Sequence, residues 1–146
     1  MSIFSRILES LRERGLRRSW QTLLSIIEDW LFDRVHGTDT MARLQQEELD
    51  FEHPAKASAH PYFPTRGRAV RKLLASIDFP PGSVLVDYGS GKGKVLLLAA
   101  RFNFREVVGI EFSEELNAIA EANVRRFGGE AARRIRLVCA DAAAHV

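Results

Sequence analysis

The run Val84-Leu85-Val86-Asp87-Tyr88-Gly89-Ser90-Gly91-Lys92-Gly93-Lys94 constrains this chain more than any other part of it. A short apolar strand enters a turn with glycine at alternate positions, and a helix rich in Leu and Ala is expected over 95–102. In such a crossover a ligand lies beyond the carboxyl end of the strand. Glycines let the backbone turn sharply and approach a ligand without Cβ interference, while the helix start presents free N–H groups. Gly-x-Gly-x-Gly alone is a weak signal, so spacing decides among its competitors. A P-loop needs Gly-Lys followed by Ser or Thr, but here Gly93 and Val95 follow the two lysines. The dinucleotide fingerprint needs a glycine where Lys94 stands, and the shift to Gly93 points away from nicotinamide. A ligand-free tight turn is the bland alternative, although three glycines weaken a simple connection for no gain.

The flanking pattern alternates helix with strand. Thr65 is placed to cap a helix with the apolar face Val70, Leu73, Leu74 and Ile77, which Pro80-Pro81-Gly82 ends. Strands are expected at 83–87, 107–111 and 135–140. Between the last two, Ser113 caps a helix that buries Leu116, Ile119, Ala120 and Phe127 and stops at Gly128-Gly129. Short strands apolar on both faces, in β-α-β-α-β order, predict an α/β fold: a Rossmann-like parallel sheet with helices on each side. Glu111 and Asp141 end the second and third strands, on the edge where the glycine turn lies. A carboxylate at the first place can accept the hydroxyls of a ribose, and one at the second an adenine amine. Each acid alone also reads as a solvated strand terminus; together with the turn they argue against accident.

Residues 1–36 read as a helical extension with two apolar stripes. The first holds Ile3, Phe4, Ile7, Leu8 and Leu11; the second, after Gly15, holds Trp20, Leu23, Leu24, Ile27 and Leu31. Arg6, Arg12, Arg14, Arg17 and Arg18 lie opposite the first stripe. An anionic membrane surface or a targeting peptide therefore competes with an accessory helix pair, which Glu9 and Glu13 favour by diluting the charge. Residues 37–64 read as a loop or lid linker, with the turn formers Gly37-Thr38-Asp39-Thr40 and a short helix over 41–50. His36, His53 and His60 lack metal spacing and read as surface residues, so no metal site is expected. Basic and acidic residues number 21 and 19, a net charge of +2 that gives no strong field for nucleic acid. The single cysteine, Cys139, reads as a buried core residue and fits a reducing compartment; with neither a membrane span nor a secretory signal in view, the cytoplasm is the expected location. No apolar stretch suits a transmembrane segment or a secretory signal.

Asp87-x-Gly89-x-Gly91-x-Gly93 resembles motif I of class I S-adenosylmethionine-dependent methyltransferases. Val108-Gly109-Ile110-Glu111-Phe112 resembles the acidic second motif and Cys139-Ala140-Asp141-Ala142 the third, so the resemblance covers about residues 65–146. The spelling of the turn and helix, with the upstream Gly37-Thr38-Asp39-Thr40, is similar to small bacterial methyltransferases of undefined substrate and more loosely to non-SET protein-lysine methyltransferases. The resemblance implies that Asp87 and the turn (Gly89, Gly91, Gly93) hold the methionine end of S-adenosylmethionine. It also implies that Glu111 binds the ribose, Phe112 packs on the adenine, and Asp141 with the Ala142 backbone binds the adenine edge. Tyr62 and Thr65 read either as part of a lid or as an ordinary pre-helix turn.

On this reading the chain is the cofactor-binding half of an enzyme that methylates an unidentified acceptor, truncated after the third strand. Catalytic residues stay unassigned, since the motif after the fourth strand usually supplies them, and His145 reads as a helix residue near a chain end. The first strand would be an open edge, from which marginal stability or self-association is expected. A non-catalytic cofactor-binding or scaffold module is the alternative, with a nicotinamide oxidoreductase third.

Overall fold

The computed structural model describes residues 16–42 and 63–142. The first apolar stripe, the helix expected over 41–50, and His53, His60, Tyr62 and His145 lie outside the described residues. In chain order the elements are α1 (Leu16–His36), α2 (Gly67–Ala75), β1 (Val84–Tyr88), α3 (Lys94–Ala99), β2 (Glu106–Glu111), α4 (Glu114–Phe127), α5 (Gly129–Arg133) and β3 (Ile135–Cys139). The expected β-α-β-α-β order is present, with the short α5 added where Gly128-Gly129 ends α4. No helix among the described residues is long and apolar enough to cross a membrane.

Strand β2 is the middle of a three-stranded parallel sheet of order β1-β2-β3. Register sets Asp87 beside Gly109 and Glu111 beside Cys139, so the carboxyl ends of all three strands lie along one edge. Helix α3 is apolar nearly all round and is buried accordingly: Leu96, Leu97, Leu98 and Ala99 expose nothing. It presses on β2 because Gly109 has no side chain. A Cβ there would come within 2.8 Å of Ser90 Oγ and collide with Leu96. Arg134 closes the other end of α3, donating from Nη2 to the carbonyl of Ala100 (2.6 Å) and from Nη1 to those of Phe102 (3.1 Å) and Phe104 (2.9 Å).

Several expectations are corrected by packing. Of the second stripe, Trp20, Leu24, Ile27 and Leu31 are exposed and Leu23 is half-buried, whereas Ser25, Asp29 and Phe32 of α1 are buried. The helix turns its polar face inward because Asp29 and Asp33 have partners there. Thr65 does not cap α2. Arg66 is the cap residue with no side-chain bond, and Asp29 Oδ1 accepts the first helical N–H, that of Gly67 (3.1 Å). Leu73 and Ile77 of the predicted α2 face stay exposed while Leu74 is buried. His36 is half-buried rather than free on the surface, with the rings of Phe32 and Phe127 each 4.8 Å away and Arg101 Nη2 2.6 Å from its Nε2. Cys139 is exposed, not a core residue, because it lies on the outward side of the edge strand β3. The outer residues of β1, Val84, Val86 and Tyr88, are exposed too, so among the described residues that side of the strand carries no helix.

Candidate functional site

The glycine turn is fastened to the strand next to it. The N–H groups of Gly89 and Ser90 both donate to the carbonyl of Ile110 (2.8 and 3.1 Å), and Gly93 N–H donates to Ser90 (2.9 Å) before α3 begins. Gly89, Gly91 and Gly93 have φ of 74°, 52° and 81°. That left-handed backbone costs other L-residues roughly 1–2 kcal/mol apiece, so the alternation of glycine is what the turn geometry requires. A Cβ at Gly89 would project into open space, leaving the backbone there approachable by a ligand.

Glu111 joins the turn to the sheet edge. The residue is 4% exposed, and its carboxylate accepts from Gly91 N–H at Oε2 (2.8 Å) and from Ser113 N–H at Oε1 (3.0 Å). Each oxygen keeps a second lone pair, the capacity a pair of ribose hydroxyls would use. Ser113 also performs its predicted cap, its Oγ accepting from Leu116 N–H (3.2 Å). Asp87 stands on β1 close enough to feel that charge. Burial first, and the negative charge of Glu111 second, push its carboxyl up to about 6. Phe112 follows Glu111, half-buried. Asp141 and Ala142 follow β3, whose exit is set by Ala140 N–H donating to the Glu111 carbonyl (3.0 Å). Thus Asp87, the glycine turn and Glu111 are tied together, and Asp141 with Ala142 leaves the sheet along the same edge.

Sequence reasoning missed a polar layer on the far side of the turn. Lys92 and Lys94 are buried, within 2.9 Å of Asp39 Oδ2 and Asp29 Oδ1 respectively. The Lys94 contact is one of charge, since its angles fall outside hydrogen-bond geometry. Asp33 holds the segment after α1, accepting from the hydroxyls of Thr38 and Thr40 (2.7 Å each) and from the N–H groups of Thr40 (2.9 Å) and Met41 (3.0 Å). The available signal was the i, i+4 spacing of Ser25, Asp29 and Asp33 on one face of α1, with two lysines inside an otherwise apolar turn and helix.

A family model described as histone methylation protein DOT1 matches residues 43–133, more than half of the chain, including the glycine turn and Glu111. A curated protein-lysine N-methyltransferase from Saccharolobus islandicus (strain REY15A) is 33% identical over 69 residues, 47% of this chain and 43% of the relative. The chain therefore spans under half the length of that relative. Among solved structures, an RNA methyltransferase from Salinibacter ruber in complex with S-adenosyl-L-homocysteine is 29% identical, with 53% of this chain and 50% of the other covered and a TM-score of 0.47. A SAM-dependent methyltransferase from Geobacter sulfurreducens in complex with S-adenosyl-L-homocysteine is 28% identical, with 51% and 29% covered and a TM-score of 0.44.

Proposed function

The chain belongs to the DOT1 histone-methylation family, and from that premise we propose that it binds S-adenosylmethionine and serves transfer of its methyl group to an amine, with a lysine side chain of a protein as the acceptor class. The observation that carries the cofactor reading is the hydrogen bond between the glycine turn and Glu111, which puts small-residue backbone and a buried carboxylate side by side at one sheet edge. The acceptor class rests on the family and on the relative named for protein lysine.

The residues fit the cofactor's chemistry. Glu111 has free lone pairs for the ribose hydroxyls, Phe112 offers a face to the adenine, and Asp141 with the Ala142 N–H suits the adenine edge. Asp87, with Gly89, Gly91 and Gly93, suits the amino-acid end, where an ionised carboxylate meets an ammonium. When bound, the sulfonium supplies an activated methyl group, so the protein's part is to hold it in line with a neutral amine and to exclude water. A cytoplasmic location and self-association through the β1 edge belong to the same reading.

Calorimetric titration with S-adenosylhomocysteine and, separately, with NAD tests it. Binding of the former only, lost in Glu111→Ala, is expected. Binding of NAD alone means an oxidoreductase, and binding of neither leaves a scaffold that uses the fold without the pocket.

A further inference from the structure

The glycine turn is anchored twice, at consecutive residues. Gly91 gives its N–H to Glu111, whereas Lys92 is taken by groups remote from the strand tips. The Lys92 ammonium, 1% exposed, pairs with Asp39, and its carbonyl accepts from Asn123 Nδ2 on α4 (3.0 Å). Asn123 is wholly buried and grips the main chain of Asp39 in both directions, accepting its N–H at Oδ1 (2.8 Å) and donating to its carbonyl from Nδ2 (3.1 Å). A buried amide used this fully fixes three segments relative to one another, because any shift leaves a polar group without a partner. Asp39 is in turn held by the segment that Asp33 ties down at the end of α1.

We propose that Asp39, Lys92 and Asn123 form a clasp that positions the glycine turn for the cofactor without touching it. The inference rests on the cofactor reading above. A glycine-rich turn has unusual backbone freedom, and ordering it on binding would weaken affinity. The clasp removes that freedom in advance, and it holds Lys92 in place while the Glu111 carboxylate is shared between Gly91 and the ribose hydroxyls. A merely structural anchor would change the melting temperature and leave affinity alone; a positioning clasp changes affinity in the folded chain.

The test uses the whole chain, with D39N, K92M and the D39N/K92M double variant, at a temperature where circular dichroism shows each folded. S-adenosylhomocysteine affinity is read by calorimetry, and amide hydrogen exchange is read at Gly91 and Gly93 without ligand. Each single change is expected to weaken binding roughly tenfold, the double change no more than either one, and exchange at both glycines to speed up. Should D39N fail to fold, K92M alone decides, since it keeps the length and apolar stem of lysine and removes the ammonium that pairs with the half-exposed Asp39. Tight binding by the unmodified chain that K92M leaves within about twofold, with unchanged exchange, overturns the clasp and spares the cofactor reading. Absence of binding by the unmodified chain overturns both.

Discussion

Glu111 accepts the N–H of Gly91, twenty residues earlier in the chain, at 2.8 Å, with almost none of its surface exposed. That bond makes two separate motifs into one object. The tip of β2 dictates where the middle of the glycine turn lies, and the turn in turn keeps the carboxylate from swinging away. Hydrogen bonds to a charged acceptor in such a place contribute about 1.5–3 kcal/mol each.

Glu111→Gln tests the double duty of this side chain. The amide retains one acceptor and turns the other into a donor facing a backbone N–H. S-adenosylhomocysteine binding should weaken by about 2 kcal/mol, close to thirtyfold. Calorimetry on the folded variant checks this.

The raised carboxyl of Asp87 predicts a pH signature. Between its ordinary value of 3.8 and about 6 the folded chain holds a proton that the unfolded chain has released. Stability should therefore be highest below that window and fall as pH rises through it, then stay level. Asp87→Asn should abolish the slope in denaturant titrations at pH 4 to 7. Binding of S-adenosylhomocysteine, whose ammonium favours the ionised form, should instead strengthen as pH rises through about 6.

Asp29 and Lys94 form a buried pair, and Asp29 also accepts the first N–H of α2. Asp29→Ala leaves an ammonium with no counter-charge in the core and should lower unfolding free energy by about 3–5 kcal/mol. Joint replacement by Asp29→Leu and Lys94→Met should recover much of that loss. Denaturant melts of the single and double variants decide it.

Gly109 on β2 admits no side chain. In Gly109→Ala the new methyl meets Leu96 and Ser90, so α3 must move off the sheet. Overpacking of this kind should cost roughly 1–3 kcal/mol. A melting temperature equal to that of the unmodified chain would contradict the close approach described here.

Strand β1 pairs only with β2 among the described residues, and Val84, Val86 and Tyr88 are exposed along it. The proposed self-association through this strand predicts that Val86→Lys shifts sedimentation velocity toward the monomer, since a charge on an edge opposes pairing with another chain. An unchanged sedimentation profile counts against association through this strand.

Local chemistry determined much of this protein in advance. Apolar runs of five or six residues separated by turn formers announce the strands, the Ser113 cap is written in three neighbouring residues, and alternating glycine dictates a left-handed turn because few other residues accept it. These features depend on the chain's nearest neighbours. What lay beyond reach depends on partners 38 to 84 residues apart, as in the bonds from Asp29 to Gly67 and from Asp39 to Asn123. An apolar stripe on α1 reads as its buried side, yet only the assembled core could decide that Asp29 and Asp33 turn inward and Trp20 and Ile27 outward. Burial follows what the surroundings offer: Lys94 and the Gly67 N–H drew Asp29 in, and the hydroxyls and N–H groups of the segment after α1 drew in Asp33.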